Sequence, residues 1–193
     1  MINILYEPFP DTIEADGVRY SIVTDFREWL KYADLIADKT VPDSVKVYLL
    51  AQWADEPPKQ ITSTFLNALH AFYTADNLEY IPPHDEDDED EILRRPPCFD
   101  WCIDARYILG DFRRYYGIDL FDMKYLHWWV FKSLFYALPD DSMCMKRVAC
   151  RTRDLSSIKD RAERQRIAES QRRIALPFEY NDEMIGEALW DMN

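Results

Sequence analysis

The sequence predicts a mainly α fold, a helical bundle with a small β-hairpin at its N-terminus. Three observations carry this. Apolar residues recur at three- and four-residue spacing through most of the chain. Period-two alternation is confined to the first two dozen residues, where Asp16-Gly17 separates two strand-like runs. A hydrophobic share of 48%, with 15% aromatic, is enough to bury a sizeable core in 193 residues.

The elements follow in order. "TIEADGVRYSIV" alternates Val18, Tyr20 and Ile22 behind Asp16-Gly17 and reads as the hairpin. "TDFREWLKYADLIAD" places Phe26, Trp29, Leu30, Ala33 and Ile36 on one helical face, with Thr24 or Asp25 as N-cap. Pro42 fits the first turn of a second helix, "PDSVKVYLLAQWAD", which Asp55-Glu56-Pro57-Pro58 ends. "ITSTFLNALHAFYTAD" makes a third, burying Phe65, Leu66, Leu69, Phe72 and Tyr73. Helical spacing resumes near Phe99 and stops at Gly117, a C-cap. The next helix is expected from Met123 to Leu138, halted by Pro139. A short helix capped by Ser142 follows, then a long polar helix from Ser156 to the residues before Pro177. An amphipathic tail, with Met184, Ile185, Leu189 and Trp190, completes the chain.

Between these helices, residues 82–97 break the pattern. Prolines bracket seven consecutive acidic residues, Asp85 to Glu91, which repel one another as a solvated linker or loop. The expected organisation is therefore an N-terminal hairpin and helical unit over 1–81, the acidic linker over 82–97, and a C-terminal helical unit over 98–193.

Composition excludes several functions. Only four glycines occur, and neither GxxxxGK[ST] nor GxGxxG is present, so a nucleotide-binding enzyme is a poor fit. The net charge is −13, and residues 1–100 carry all of it: 8 Lys+Arg against 21 Asp+Glu, versus 15 against 15 thereafter. Such a chain repels phosphates at long range, so nucleic acid is not the expected partner. No secretory signal is read at the N-terminus, and Cys98, Cys102, Cys144 and Cys150 are expected as free thiols in a reducing cytoplasm. No membrane span is expected, because Lys124, His127 and Lys132 interrupt the most apolar stretch.

That stretch, "YGIDLFDMKYLHWWVFKSLFYAL", raises the sharpest functional question. On a helix, Leu126, Trp129, Val130, Leu134 and Ala137 form one stripe, and Trp128, Phe131, Phe135 and Leu138 a second. A helix apolar on most of its circumference is central in a bundle. Each indole N–H needs an acceptor, so one of Trp128 and Trp129 is expected to reach the domain edge and meet a partner. His127 is read as structural; a catalytic role with Asp119 or Asp122 is the weaker alternative, since no triad or HExxH spacing surrounds it. A four-thiolate zinc site is weighed against buried thiols, and the loose cysteine spacing favours the thiols. The acidic run lacks the DxDxDG calcium pattern. No cofactor or metal is expected.

The basic helix remains. Lys146 to Arg173 holds ten basic and four acidic residues. Asp160/Arg164 and Glu169/Arg173 can pair at i,i+4. The surplus arginines are read as meeting the acidic loop of the same chain or an acidic segment of another protein in preference to phosphates, because the whole chain is acidic.

Four blocks, "DARYILGDFRRYYGIDL", "YLHWWVFKSLFYALPDD", "CRTRDLSSIKDRAERQRI" and "QRRIALP", resemble the bacteriophage gene-product-fifteen proteins. They map to Asp104–Leu120, Leu126–Phe131, Arg151–Ser156 and Arg161–Pro177. The resemblance implies a protein of long-tailed phages and prophages, encoded beside the tape-measure gene. It implies a non-enzymatic tail assembly chaperone that binds the tape-measure protein, and copies of itself, in the host bacterial cytoplasm. A structural tail component retained in the virion is the alternative. Under this reading the partner-binding residues are Trp128, Trp129, Arg161, Arg164, Arg166, Arg172 and Arg173. The four cysteines and the acidic run depart from the family pattern.

Overall fold

A computed structural model describes residues 5–75 and 97–177. It is mainly α with one two-stranded antiparallel sheet. The chain divides into two compact units. Among the described residues, unit 1 comprises 5–75 together with Tyr125–Lys132, and unit 2 comprises 97–124 and 133–177.

In unit 1, β1 (Thr12–Ala15) pairs with β2 (Val18–Ser21), Ala15 opposite Val18. Asp16 and Gly17 both take positive φ, 52° and 74°, which is what a two-residue turn matching the strand twist requires. α1 (Phe26–Ala37) starts at Asp25, whose carboxylate accepts from the Arg27 amide at 3.0 Å. It buries Phe26, Trp29 and Tyr32. Tyr32 adds to the predicted face, while Leu30, Ala33 and Ile36 are only half-buried.

α2 (Asp43–Leu50) runs on into a 3-10 turn, Ala51–Trp53. Pro42 is its N-cap rather than a residue of the first turn. This helix is turned against its own chemistry: Lys46 is buried, while Val45, Tyr48 and Leu49 are exposed. The reason lies at the end of α1, which carries no basic residue in its last turn. Lys46 Nζ donates to the Ile36 carbonyl there at 2.9 Å, serving an orphan acceptor. α3 (Ser63–Thr74) is capped by Thr62 and buries Phe65, Leu66, Leu69 and Phe72. Ala75 closes it in the left-handed conformation.

In unit 2, α4 (Ala105–Asp111) continues as a π-helical turn, Phe112–Tyr116, and ends at Gly117 with φ 66°. It starts later than the spacing suggests because the Asp100 carboxylate binds the amides of Cys102 and Ile103 and holds a turn there. α6 (Met143–Thr152) is capped by Ser142, as expected. α7 (Arg161–Ile174) is capped by Asp160, which accepts from the Glu163 amide at 2.6 Å. Its start slips from Ser156 to Arg161 because Asp154 ties up the Ser156 amide and hydroxyl in a turn.

α5 (Trp128–Tyr136) gives Trp128 to Lys132 to unit 1 and the rest to unit 2. One expectation is corrected here. The helix begins at Trp128, not Met123, because the preceding backbone is engaged elsewhere. Phe26 N donates to Leu126 O at 2.9 Å, Trp128 N donates to Thr24 O at 2.8 Å, and Asp25 bridges His127. Tyr125–Lys132 groups with the N-terminal elements in unit 1. The acidic run Asp85–Glu91 and the tail helix lie outside the described residues.

Candidate interaction surface

Three groups of side chains carry the chemistry, two of them anticipated above, and the structure sorts them sharply. The first surrounds Trp128 and Trp129. Both are in the core of unit 1, at 0% and 1% exposure, so the expectation that one reaches an edge is corrected. Their ring nitrogens are satisfied inside. Trp128 Nε1 donates to Tyr73 O and Trp129 Nε1 to Phe72 O, each at 2.8 Å. Lys132 Nζ adds donations to Tyr73 O at 3.3 Å and to Thr74 O. These are carbonyls of the last turn of α3, which has no basic residue of its own. The ring of Trp128 also stacks on Tyr73, 5.6 Å between centroids and 9° between planes. The two tryptophans are thus a cap for another helix and cannot touch a partner while unit 1 is folded.

His127 belongs to the same arrangement. Its Nδ1 accepts from the Trp129 amide at 3.1 Å, and its Nε2 lies 3.0 Å from Pro10 O. That pattern requires the neutral tautomer with the proton on Nε2. Burial pushes the imidazole pKa down, against opposing contributions from the Pro10 hydrogen bond and Asp11. Both ring nitrogens are engaged, and the side chain works as an N-cap for α5. Asp119 is equally occupied: its carboxylate pairs with Arg113 and accepts from the Phe121 amide.

The second group is a buried ionic lock in unit 2 that sequence reasoning missed. Asp104 is fully buried. Its Oδ1 accepts from Arg147 Nε at 2.8 Å and Arg151 Nη2 at 2.9 Å, and its Oδ2 from Arg151 Nη1 at 2.5 Å and the Asp100 amide at 3.2 Å. Burial alone would raise the carboxyl pKa. Hydrogen bonds from Arg151 and Arg147 outweigh it and hold the carboxyl below its ordinary range. Arg151 spends its remaining donors on Ile174 O at 2.7 Å and Cys98 O at 3.0 Å. Arg147 stacks over the Tyr107 ring at 4.3 Å. Asp111, also buried, accepts from the amides of Met143 and Cys144 and so helps Ser142 cap α6. Arg147 and Arg151 therefore leave the surplus of basic residues. The only signal for them in sequence was a lone Asp104 at an apolar-periodic position, with partners more than forty residues away.

The third group is the face of α7. Arg161, Arg164, Arg166, Arg172 and Arg173 are all exposed. Among the described residues none of the five has a carboxylate within ion-pair distance, so the anticipated Asp160/Arg164 and Glu169/Arg173 pairs do not form; Asp160 caps the helix instead. Ile167 is the residue α7 buries. The helix is held at its far end by Gln171, whose amide donates to Cys150 O and Arg153 O, and by Arg151 on Ile174 O.

The cysteines are separate. All four are free, and Cys144 is buried, with burial pushing its thiol up to about 11. Among the described residues no three His, Cys, Asp or Glu side chains are grouped to hold a metal ion, and no helix is long and apolar enough to cross a membrane.

A family model described as "Bacteriophage Gp15 protein" matches residues 5–176. No curated protein and no solved structure gives a significant match.

Proposed function

This chain belongs to the bacteriophage Gp15 protein family, and from that premise we propose that it is a non-enzymatic tail assembly chaperone. It binds the tape-measure protein in the host bacterial cytoplasm while a long tail is built. One observation carries the reading: a helix held at its far end by Gln171 and Arg151 presents five solvent-exposed arginines that have no carboxylate partner among the described residues. Such a surface suits reversible capture of another polypeptide, because exposed charge pairs steer encounter and fix register without making the complex permanent. A long tape-measure helix with apolar stretches aggregates alone, and a strongly negative cover keeps such a complex in solution. The net charge of −13 fits that task.

The Trp-Trp block has a structural role. It fixes unit 1, and the arginines of α7 remain as the contact residues. Co-expression with the tape-measure protein of the same phage tests the proposal. The tape-measure protein should move to the soluble fraction and co-purify with tagged chaperone, and purified virions should lack this chain by mass spectrometry. Failure of the two proteins to co-purify sinks the chaperone reading; presence of the chain in mature particles favours a retained tail component.

A further inference from the structure

We infer that α7 recognises an acidic helix, one with carboxylates about two turns apart along one flank and about three turns apart along the other. The inference deepens the reading above and rests on α7 being the surface that holds the partner. At about 100° per residue, Arg161 and Arg172 lie within about 20° of each other round the helix axis, as do Arg166 and Arg173. These pairs make two rows about 120° apart. The midline between the rows points directly away from the buried Ile167, so both rows flank the outermost surface of α7. Arg166 and Arg173 are about 10 Å apart along the axis, and Arg161 and Arg172 about 16 Å, at about 1.5 Å per residue. A partner helix presenting acids about two and three turns apart meets both spacings.

The floor between the rows selects the partner further. It is made by Ala162, Gln165 and Glu169, all exposed. A polar floor offers no apolar seam, so recognition falls to the charged rows. Glu169 stands in the middle of it and asks for a polar or basic group at the centre of the bound segment. The same residue opposes a nucleic acid strand, whose phosphates would pass over it. α7 also has no aromatic residue on which a base could stack, unlike single-strand binding surfaces. The observations therefore favour a polypeptide with acidic flanks.

The test uses the full-length chain and four probes. These are a three-heptad helical peptide with glutamates in the matching register, a shuffled peptide of the same composition, a single-stranded DNA oligonucleotide, and the tape-measure protein. The register peptide should bind at least about tenfold tighter than the shuffled peptide or the DNA, and weaken about tenfold between about 50 and 300 mM salt. R166E/R173E and R161E/R172E should each weaken it by about tenfold, the scale of losing two exposed charge contacts and adding two repulsions. Glu169→Gln should tighten it two- to threefold, by roughly the worth of one exposed repulsion. All these positions are exposed, so circular dichroism should be unchanged. Equal binding of the shuffled peptide, tighter binding of DNA, or indifference to both double reversals overturns the inference. Tape-measure capture that survives the reversals also overturns it and leaves the chaperone role standing. Peptide binding without tape-measure capture does the opposite.

Discussion

Asp104 takes hydrogen bonds from two arginines and a backbone amide while wholly out of water. Breaking such a pair leaves an uncompensated buried charge, which costs more than the pair itself contributes. Asp104→Ala and Arg151→Ala should each destabilise unit 2 by about 3–5 kcal/mol. The double variant should cost clearly less than the sum, because the residues act on one interaction. Urea titrations followed by circular dichroism measure this, and strict additivity would remove the lock from the account. At this scale the sequence was half legible. Caps such as Asp25 and Ser142 are local, and their residue types announce them. Asp104 with Arg151 is a contact across 47 positions. Nothing nearby in the chain distinguishes those two residues from the solvated charges around them.

Elements were legible where their periodicity was unopposed and illegible where distant backbone intervened. α1, α3 and α6 fall where the apolar spacing puts them. α5 does not, because residues 126–128 bond to residues 24–26 and Leu126 loses its place in the helical pattern. The same non-local bonding explains the dense aromatic block. Its first turn brings two indoles and an ammonium to the carbonyl end of α3, whose acceptors would otherwise be buried without donors. Trp129→Phe keeps most of the ring volume and removes the donor to Phe72 O. It should cost about 1–3 kcal/mol, the penalty of an unsatisfied buried acceptor. Partner capture should be unaffected under conditions where unit 1 stays folded. A loss of capture in a fully folded Trp129→Phe protein would show that the ring has a second role. Read this way, three of the four family blocks meet at one residue of unit 2: Arg151 joins Asp104 of the first, begins the third and holds Ile174 of the last. The blocks record how the units are built, and the contact surface we propose is the part of the last block that faces away from Ile167.

For the molecule as a whole, acidification separates three events that depend on different residues. His127 is buried and neutral, with its pKa below the ordinary value of 6.5. An unfolded chain binds that proton first, so the stability this residue contributes is complete above about pH 6.5 and falls as pH drops through the window beneath it. Protonation also removes the acceptor that caps α5 at the Trp129 amide. Next, the net charge of −13 shrinks and reaches zero near pH 4.6, where self-repulsion no longer keeps chains apart. Asp104 comes last. Its folded pKa lies below the usual 3.8, so its contribution to unit 2 is intact above that value and is lost only as pH falls through the lower one. The expected sequence on titration from neutral is a gradual loss of urea resistance in unit 1 below about pH 6.5, then turbidity near pH 4.6, and only then loss of unit 2 helicity. His127→Asn retains a capping acceptor that does not titrate in this range, so it should flatten the first phase and leave the other two in place. Turbidity, circular dichroism and amide hydrogen exchange resolved by unit would follow all three together. If unit 2 unfolds before the solution clouds, the Asp104 lock does not hold its carboxyl ionised in the way its four hydrogen bonds require.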